Sequence, residues 1–381
     1  MKKFLLAIVI LMSFPALSQE TMTDTIISQK LNEAREITVT LPASYQSNSA
    51  KKYPLLLLLD GDYLLSPFLG ALNYGAYWDD LPEMIIVGIS QNKNNEREDD
   101  SMSDSSTGLP EKKGTFFYEF IGMELLPAIE KKYRVAPFKI IAGHDTTAGF
   151  LNFFLYKDQP LFNAYISMSP ELPTEMEIRL PQRLASISTP IFYYHSTADG
   201  DVKKMRDRIL ALHESASAIK REGLNYKFDN FADASHYSLV LHSIPKALYQ
   251  FFSSYQPISS AEFAEKIVTL PSGYVDYLEN RYTVLEEALG YKMQIRYNDF
   301  KAIEAAIIRN KAYNEFDKLS DLARKHYPNT MLSDYHMAVM YENTGDLKRA
   351  QKSYMKAFNK EEIGDLTKDM MFDRADALKK M

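Results

Sequence analysis

Ile140-Ile141-Ala142-Gly143-His144-Asp145-Thr146-Thr147-Ala148-Gly149 is a buried-type apolar run that passes, without a loop, into a segment apolar at helical spacing as far as residue 156. Upstream, Ile37-Thr38-Val39-Thr40-Leu41 alternates apolar and polar residues as a half-exposed strand does, and Pro42 and a polar loop over 44–52 follow it. Residues 53–59, with five leucines running into Asp60-Gly61-Asp62, and residues 84–90 are continuous apolar runs suited to strands buried on both faces. The spacing of Phe117, Phe120, Ile121, Leu125 and Ile129 predicts a helix over 116–133, with Lys131 and Lys132 complementing its C-terminal dipole. Further strands are read at 138–142, 164–168, 191–195 and 224–229, and helices at 202–221 and 239–252. Strand then helix, repeated, predicts an α/β fold: a mostly parallel sheet with helices on both faces.

The composition shifts after Tyr255-Gln256-Pro257-Ile258-Ser259-Ser260, read as a linker between a domain at 19–256 and a smaller all-α domain at 261–381. In the latter, Met337-Ala338, Tyr341, Gly345, Ala350, Tyr354 and Ala357 match the offsets of one tetratricopeptide-type helix pair. A single such unit cannot bury its apolar face alone, so helices including 302–308 are expected to partner it. At the other end, Lys2 and Lys3, the apolar residues 4–12 and Ala16-Leu17-Ser18 form the pattern of a cleaved signal peptide over 1–18. Cleavage before Gln19 predicts a periplasmic or secreted protein with no transmembrane segment left. Loss of the two lysines takes the net charge from −6 to −8, which argues against a nucleic-acid partner. The chain has no cysteine, so disulfides, thiolate metal sites and a cysteine nucleophile are all excluded. Its histidines lack metal-ligand spacing, and neither metal nor cofactor is expected. The charged run 96–100 reads as a solvated loop.

The strand-turn-helix at 140–149 is the setting of a nucleophile elbow, G-x-S-x-G, in which small flanking residues let strand and helix pack while the nucleophile projects in a strained conformation. Gly143 is in place, Asp145 stands where serine belongs, and Thr147 replaces the second glycine. His236 follows a late strand in the polar loop Asp233-Ala234-Ser235, and a histidine late in the chain, after nucleophile and acid, is the α/β-hydrolase order.

Several further segments occur in order: Tyr53-Pro54 with Leu58-Leu59-Asp60-Gly61, Arg97 with Asp100, Glu124-Leu125-Leu126-Pro127 with Ile129 to Arg134, Gly143-His144, Leu161-Phe162-Asn163, Ser167-Met168-Ser169-Pro170 and Ser235-His236. On these, residues 34–255 resemble the putative esterase family of α/β-hydrolases, which includes esterase D-like and enterochelin esterase-like proteins, some with a helical C-terminal extension. The resemblance implies an α/β-hydrolase fold and carboxylic ester hydrolysis. Carried over by position, it puts the serine at Asp145, the base at His236, and the acid in the loop after 191–195, where Asp199 is favoured and Asp201 is second. It further implies an oxyanion hole from the backbone N–H of Thr146 and the Gly61–Asp62 turn. Arg97, Asp100 and His144 are assigned to the substrate pocket, His144 as the packed neighbour of the elbow.

A serine esterase needs a hydroxyl that histidine can deprotonate and that attacks the ester carbonyl. A carboxylate attacking that carbonyl gives an unstable anhydride, so ordinary serine-esterase chemistry through position 145 is excluded. Thr146 and Thr147 lie on the first helical turn and point away from the elbow tip. Two readings stay open. The site is catalytically degenerate and binds an ester-like small molecule, with the helical domain open to a peptide or protein partner. Alternatively Asp145 attacks a saturated carbon, as in epoxide hydrolases and haloalkane dehalogenases, and His236 activates the water that hydrolyses the alkyl-enzyme ester.

Overall fold

The computed structural model describes residues 19–379, so the expected signal peptide over 1–18 lies outside the described residues. Eight strands form one sheet: β1 (Glu20–Ser28), β2 (Glu33–Leu41), β3 (Tyr53–Leu58), β4 (Ile85–Ile89), β5 (Val135–His144), β6 (Ala164–Met168), β7 (Ile191–Gly200) and β8 (Leu224–Ser235). Their spatial order is β1-β2-β4-β3-β5-β6-β7-β8. The pairs β1–β2 and β2–β4 are antiparallel, and every later pair is parallel.

The leucine run explains the layering. Side chains alternate across a strand, so Leu55, Leu57 and Leu59 enter the core on one face while Leu56 and Leu58 enter the core on the other. The first face is covered by helices at Lys112–Glu119, Leu126–Lys132 and Met176–Ser186, the second by helices at Gly61–Tyr77 and Leu239–Phe251. β3 and β4 are buried throughout, as a strand covered on both sides must be.

Several features depart from the sequence reading, among them the Met176–Ser186 helix, which it left unread. β1 precedes the first strand read; it is a Thr-rich edge strand with only Met22 and Ile26 packed inward, and its outer residues are solvated. The helix at Gly61–Tyr77 was hidden by Pro67, Gly70 and Gly75, which break the apparent period. The helix read at 116–133 is three pieces, with a π-helical turn at Phe120–Leu125 inserted before Pro127.

The charged run is corrected as well: Glu96–Asp100 is a short helix, and Asp100 is fully buried. Its carboxylate holds the Arg35 guanidinium (2.5 and 3.0 Å) and accepts from Gln91 Nε2 (2.9 Å), so Asp100, expected in the substrate pocket, is instead committed to a buried ion pair. Gln91 passes the connection on, since its Oε1 accepts the Asp60 N–H at 3.0 Å.

From 260 on, the described residues form helices around a third core. Helices Leu332–Asn343 and Leu347–Phe358 pack side by side through Ala338, Ala350 and Tyr354, and the turn between them contains Gly345 at φ 84°. The Tyr274–Leu289 helix sends Leu285 and Leu289 into the second core of the sheet. Next to it, Arg296 pairs with Asp79 and lies over the Tyr255 ring at 4.6 Å. No helix among the described residues is long and apolar enough to cross a membrane.

Asp100→Ala leaves Arg35, whose side chain is 3% exposed, with Glu33 as its remaining carboxylate partner. Stranding a buried charge costs about 3–5 kcal/mol. Urea unfolding should show a loss of that size, and a loss below about 1 kcal/mol would contradict the buried-strut assignment.

Candidate active site

All parallel strands present their C-terminal ends on one edge, where ligands bind in open α/β sheets. Asp60 follows β3, Gln91 follows β4, Asp145 follows β5, Ser169 follows β6, Asp201 follows β7 and His236 follows β8. Asp145 adopts φ 61°, ψ −121° between β5 and the short helix Thr146–Phe150, a sparsely populated conformation for a residue with a Cβ. The surrounding backbone over-determines it: its N–H donates to Met168 O (2.9 Å), and its carbonyl accepts from Gly149 N and Glu171 N (both 3.0 Å). Gly143 is required, because a Cβ there would sit 2.8 Å from Thr147 Oγ1 and 2.9 Å from the Thr147 carbonyl carbon. Thr147 fits in place of the second glycine because its hydroxyl is fully buried and bonded, 2.5 Å from Asp60 Oδ2 and accepting His144 N–H at 3.1 Å. Thr146 Oγ1 instead donates to Glu171 Oε2 at 3.1 Å, so neither threonine presents a hydroxyl at the elbow tip.

His236 lies opposite Asp145. Its Nδ1–H donates to Asp201 Oδ1 at 2.8 Å, since a carboxylate only accepts, and its Nε2 is 3.9 Å from Asp145 Oδ1. The Ser169 hydroxyl lies 3.2 Å from the same Nδ1. The favoured acid is therefore corrected: Asp199 is half exposed and pairs with Arg206 at 2.6 Å, whereas Asp201, the second candidate, is bonded to the histidine. β7 continues five residues beyond the strand read at 191–195, to Gly200. There the register shifts, and Gly200 fits against Ser235, 2.7 Å from where its Cβ would stand, which delivers the next residue beneath His236. Burial alone would raise the Asp201 carboxyl, but hydrogen bonds from His236, Thr197, Ser169 and the Ala198 N–H outweigh it and hold the group at about 2.

Arg97 closes the other side of Asp145. Nη1 donates to Asp145 Oδ2 (3.2 Å), Nη2 to the His144 carbonyl (2.7 Å) and Nε to Asp60 Oδ1 (2.7 Å). Desolvation opposes the Arg97 charge, yet Asp60, Tyr63 and Asp145 raise its pKa above the usual arginine value. Asp60, fully buried, has its own carboxyl raised by desolvation despite Arg97. His144 is the elbow neighbour expected: burial, then the adjacent His236, lower it to about 4. It is neutral at pH 7, with Nε2–H donating to His236 O at 3.0 Å and Nδ1 lying 3.1 Å from the Tyr63 hydroxyl, which also reaches Asp60 Oδ2 at 3.0 Å. Its ring lies 4.6 Å from that of His236.

Gly61, Asp62 and Thr146, the backbone donors expected to form an oxyanion hole, occupy the first turns of their helices, so their N–H groups have no intrahelical acceptor. The Asp62 side chain is committed elsewhere, accepting from Ser90 Oγ, Gln91 N and Asn92 N at 2.8–3.2 Å. Asp60, Tyr63 and Ser169 are site residues that sequence reasoning did not assign. Asp60 and Ser169 lay within quoted segments, but Tyr63 belongs to the unread helix. No group of three or more His, Asp or Glu residues among the described residues forms a metal-binding cluster.

An elbow on β5, an acid after β7 and a histidine after β8 define an α/β-hydrolase. Residues 28–200 match the model of the putative esterase family. An uncharacterised protein from Capnocytophaga ochracea DSM 7271 is similar over 95% of this chain and all of its own length, with 28% identity and a TM-score of 0.84. An IroE-like serine hydrolase from Shewanella oneidensis aligns with 81% of the chain and 100% of its own at 21% identity and a TM-score of 0.61. The BES protein from Bacillus cereus shares 21% identity over 66% of the chain and 99% of its own, with a TM-score of 0.53. No curated protein matches the chain.

Because the Asp201 pKa is depressed from 3.8 to about 2 in the fold, its contribution is present above 3.8 and lost as pH falls through about 2. Asp201→Asn should therefore be less stable than the native chain at pH 6, by on the order of 2 kcal/mol. That gap should narrow towards pH 2 in denaturant titrations, while Asp199→Asn should differ little at either pH. A gap that stays constant with pH would contradict the hydrogen-bonded, ionised Asp201.

Proposed function

We propose that this chain is an exported member of the esterase family whose elbow no longer performs ordinary serine-esterase catalysis, and that it retains a pocket for an ester-like ligand. The observation that carries this reading is the pairing of His236 Nε2 with a carboxylate at 3.9 Å, where a hydroxyl belongs. With Nδ1–H given to Asp201, Nε2 is the nitrogen left to serve as a base, and the Asp145 carboxylate facing it only accepts, so the elbow side chain has no hydroxyl proton for that base to remove. Arg97 adds to this by engaging the other carboxylate oxygen of Asp145. The helical C-terminal region is the surface we assign to a peptide or protein partner.

A second reading draws on the same dyad. His236, oriented by Asp201, is placed to activate water against an alkyl ester of Asp145, so attack by Asp145 on a saturated carbon stands as the alternative. Arg97 opposes it, because a carboxylate oxygen held by a guanidinium is a weaker nucleophile.

The first reading is tested by restoring the hydroxyl. The native chain should show negligible hydrolysis of simple aryl esters, and Asp145→Ser should raise it by about a hundredfold or more, the usual worth of general-base assistance. Adding His236→Ala to Asp145→Ser should remove the gain; esterase turnover in the native chain that survives loss of both side chains would overturn the site placement. The second reading is tested by single turnover of an epoxide in heavy-oxygen water. Label in the Asp145-containing peptide supports it, and turnover with an unlabelled peptide excludes it.

A further inference from the structure

The hydrolase domain holds a concavity of about 380 Å³ between the helices at Lys112–Glu119 and Met176–Ser186 and the 3-10 segment Leu151–Tyr156. Its walls include Tyr118, Phe153, Tyr156 and Met176, its lip Leu109, and Arg179 stands at one side. Asp145, His236 and Arg97 are not among its lining residues. The volume lies in the range of small-molecule sites, and a mostly apolar wall with few polar groups is the usual composition of one.

Two properties point to a ligand and to its charge. The first is that the lip is fastened before any ligand arrives. Asp104 accepts from Ser106 Oγ (2.6 Å) and Thr107 N (2.7 Å), and Ser103 bridges Pro110. Thr174 Oγ1 donates to Ser105 O at 2.9 Å, tying the loop to the segment that leads into the Met176–Ser186 helix. Leu109 is nonetheless left 54% exposed and Tyr156 40% exposed, apolar surface that an occupant would remove from water.

The second property is unmatched positive charge. Arg179 Nη1 donates to Thr107 O (2.8 Å) and Nη2 to Thr174 O, while its buried Nε has no hydrogen-bond partner. Arg183 likewise donates to the carbonyls of Leu155 (2.6 Å) and Lys157. The Lys157 ammonium lies over the Tyr118 ring at 5.8 Å. These guanidinium bonds go to main-chain carbonyls, and no acidic side chain lines the concavity. Burial raises the Tyr156 hydroxyl pKa, and Arg179 and Arg183 act in the opposite direction, which places both charges near that ring.

We propose that this concavity is a binding site for an amphiphilic monocarboxylic acid, whose apolar body packs on Tyr118, Phe153, Tyr156 and Met176 and whose carboxylate faces Arg179. The acid is identified by the wall chemistry alone and does not depend on what Asp145 does.

The test is calorimetric titration of the full chain with 2-naphthoate and with its neutral counterpart 2-naphthamide. Naphthoate should bind saturably with one site, and naphthamide about tenfold or more weakly, since a hydrogen bond to a charged group is at stake. Arg179→Met should weaken naphthoate to the level of naphthamide, while Arg179→Lys, which keeps the charge, should lose less. Thr115→Trp, which fills the cavity and leaves Arg179 in place, should abolish binding, with unchanged circular dichroism showing that the fold persists. His236→Ala should leave the affinity as it was. The proposal is overturned by absence of saturable binding, by equal affinity for the neutral amide, by indifference to Thr115→Trp, or by loss of binding in His236→Ala, which would move the ligand to the catalytic edge.

Discussion

Arg97 is the interaction on which the arrangement of the site depends. A residue held at positive φ without glycine's freedom stays there only if its surroundings fix it, and Arg97 fixes this one from three directions. It grips the elbow backbone through the His144 carbonyl, the elbow side chain through Asp145 Oδ2, and the end of β3 through Asp60. Asp60 in turn holds Thr147, the residue in place of the second elbow glycine. The buried Asp100 stands behind this set, reaching Asp60 through Gln91. A carboxylate at position 145 thus enters a site whose nearest fixed charge is already positive, and the Arg97 pair offsets part of the desolvation that would otherwise disfavour it.

The histidine and its acid are held by bonds that do not depend on turnover. Asp201 accepts from Thr197 Oγ1 and the Ala198 N–H as well as from His236, so its burial is satisfied largely within its own turn. His236 is held from its other side as well, by the His144 ring and by the bond from His144 to its carbonyl. An intact dyad is therefore weak evidence for ester hydrolysis, since the same bonds hold the fold together. The decisive position is the one facing Nε2.

How much of this was legible in the sequence follows from the kind of signal each part carries. Strands buried on both faces announce themselves as unbroken apolar runs, and β3, β4, β6 and the elbow strand were visible for that reason. Edge strand β1 turns Thr21, Thr23 and Thr25 to solvent and only half-buries Met22, Asp24 and Ile26 opposite them, so its alternation carries little hydrophobic contrast. The Gly61–Tyr77 helix is interrupted by proline and glycines that its packing tolerates but its periodicity does not reveal. At the site, Asp145 and His236 were found because an elbow and a late-strand loop have local signatures. The choice between Asp199 and Asp201 turned on a register shift at Gly200, a tertiary feature with no local trace. Arg97 and Asp100, three residues apart in one charged run, parted company for a similar reason: the first reaches the elbow and the second is buried against Arg35, contacts made only in the fold.

The position of the helical region limits what it can do for the site. Gly290 packs on Pro137 near the start of β5, the Tyr291 ring lies 5.8 Å from Lys51 just before β3, and Arg296 pairs with Asp79 in the segment leading into β4. All three anchor points are at the N-terminal ends of the parallel strands, while Asp145, Asp201 and His236 stand at the C-terminal ends. The helices therefore lie across the sheet from the elbow and leave its mouth open, where Tyr63 and Tyr237 are 41% and 78% exposed. A partner bound to the helices would not by itself obstruct a ligand at the elbow. Any influence of one on the other has to pass through a close-packed sheet, which resists continuous deformation. Physical independence of the two surfaces is therefore what their placement on opposite ends of the strands implies.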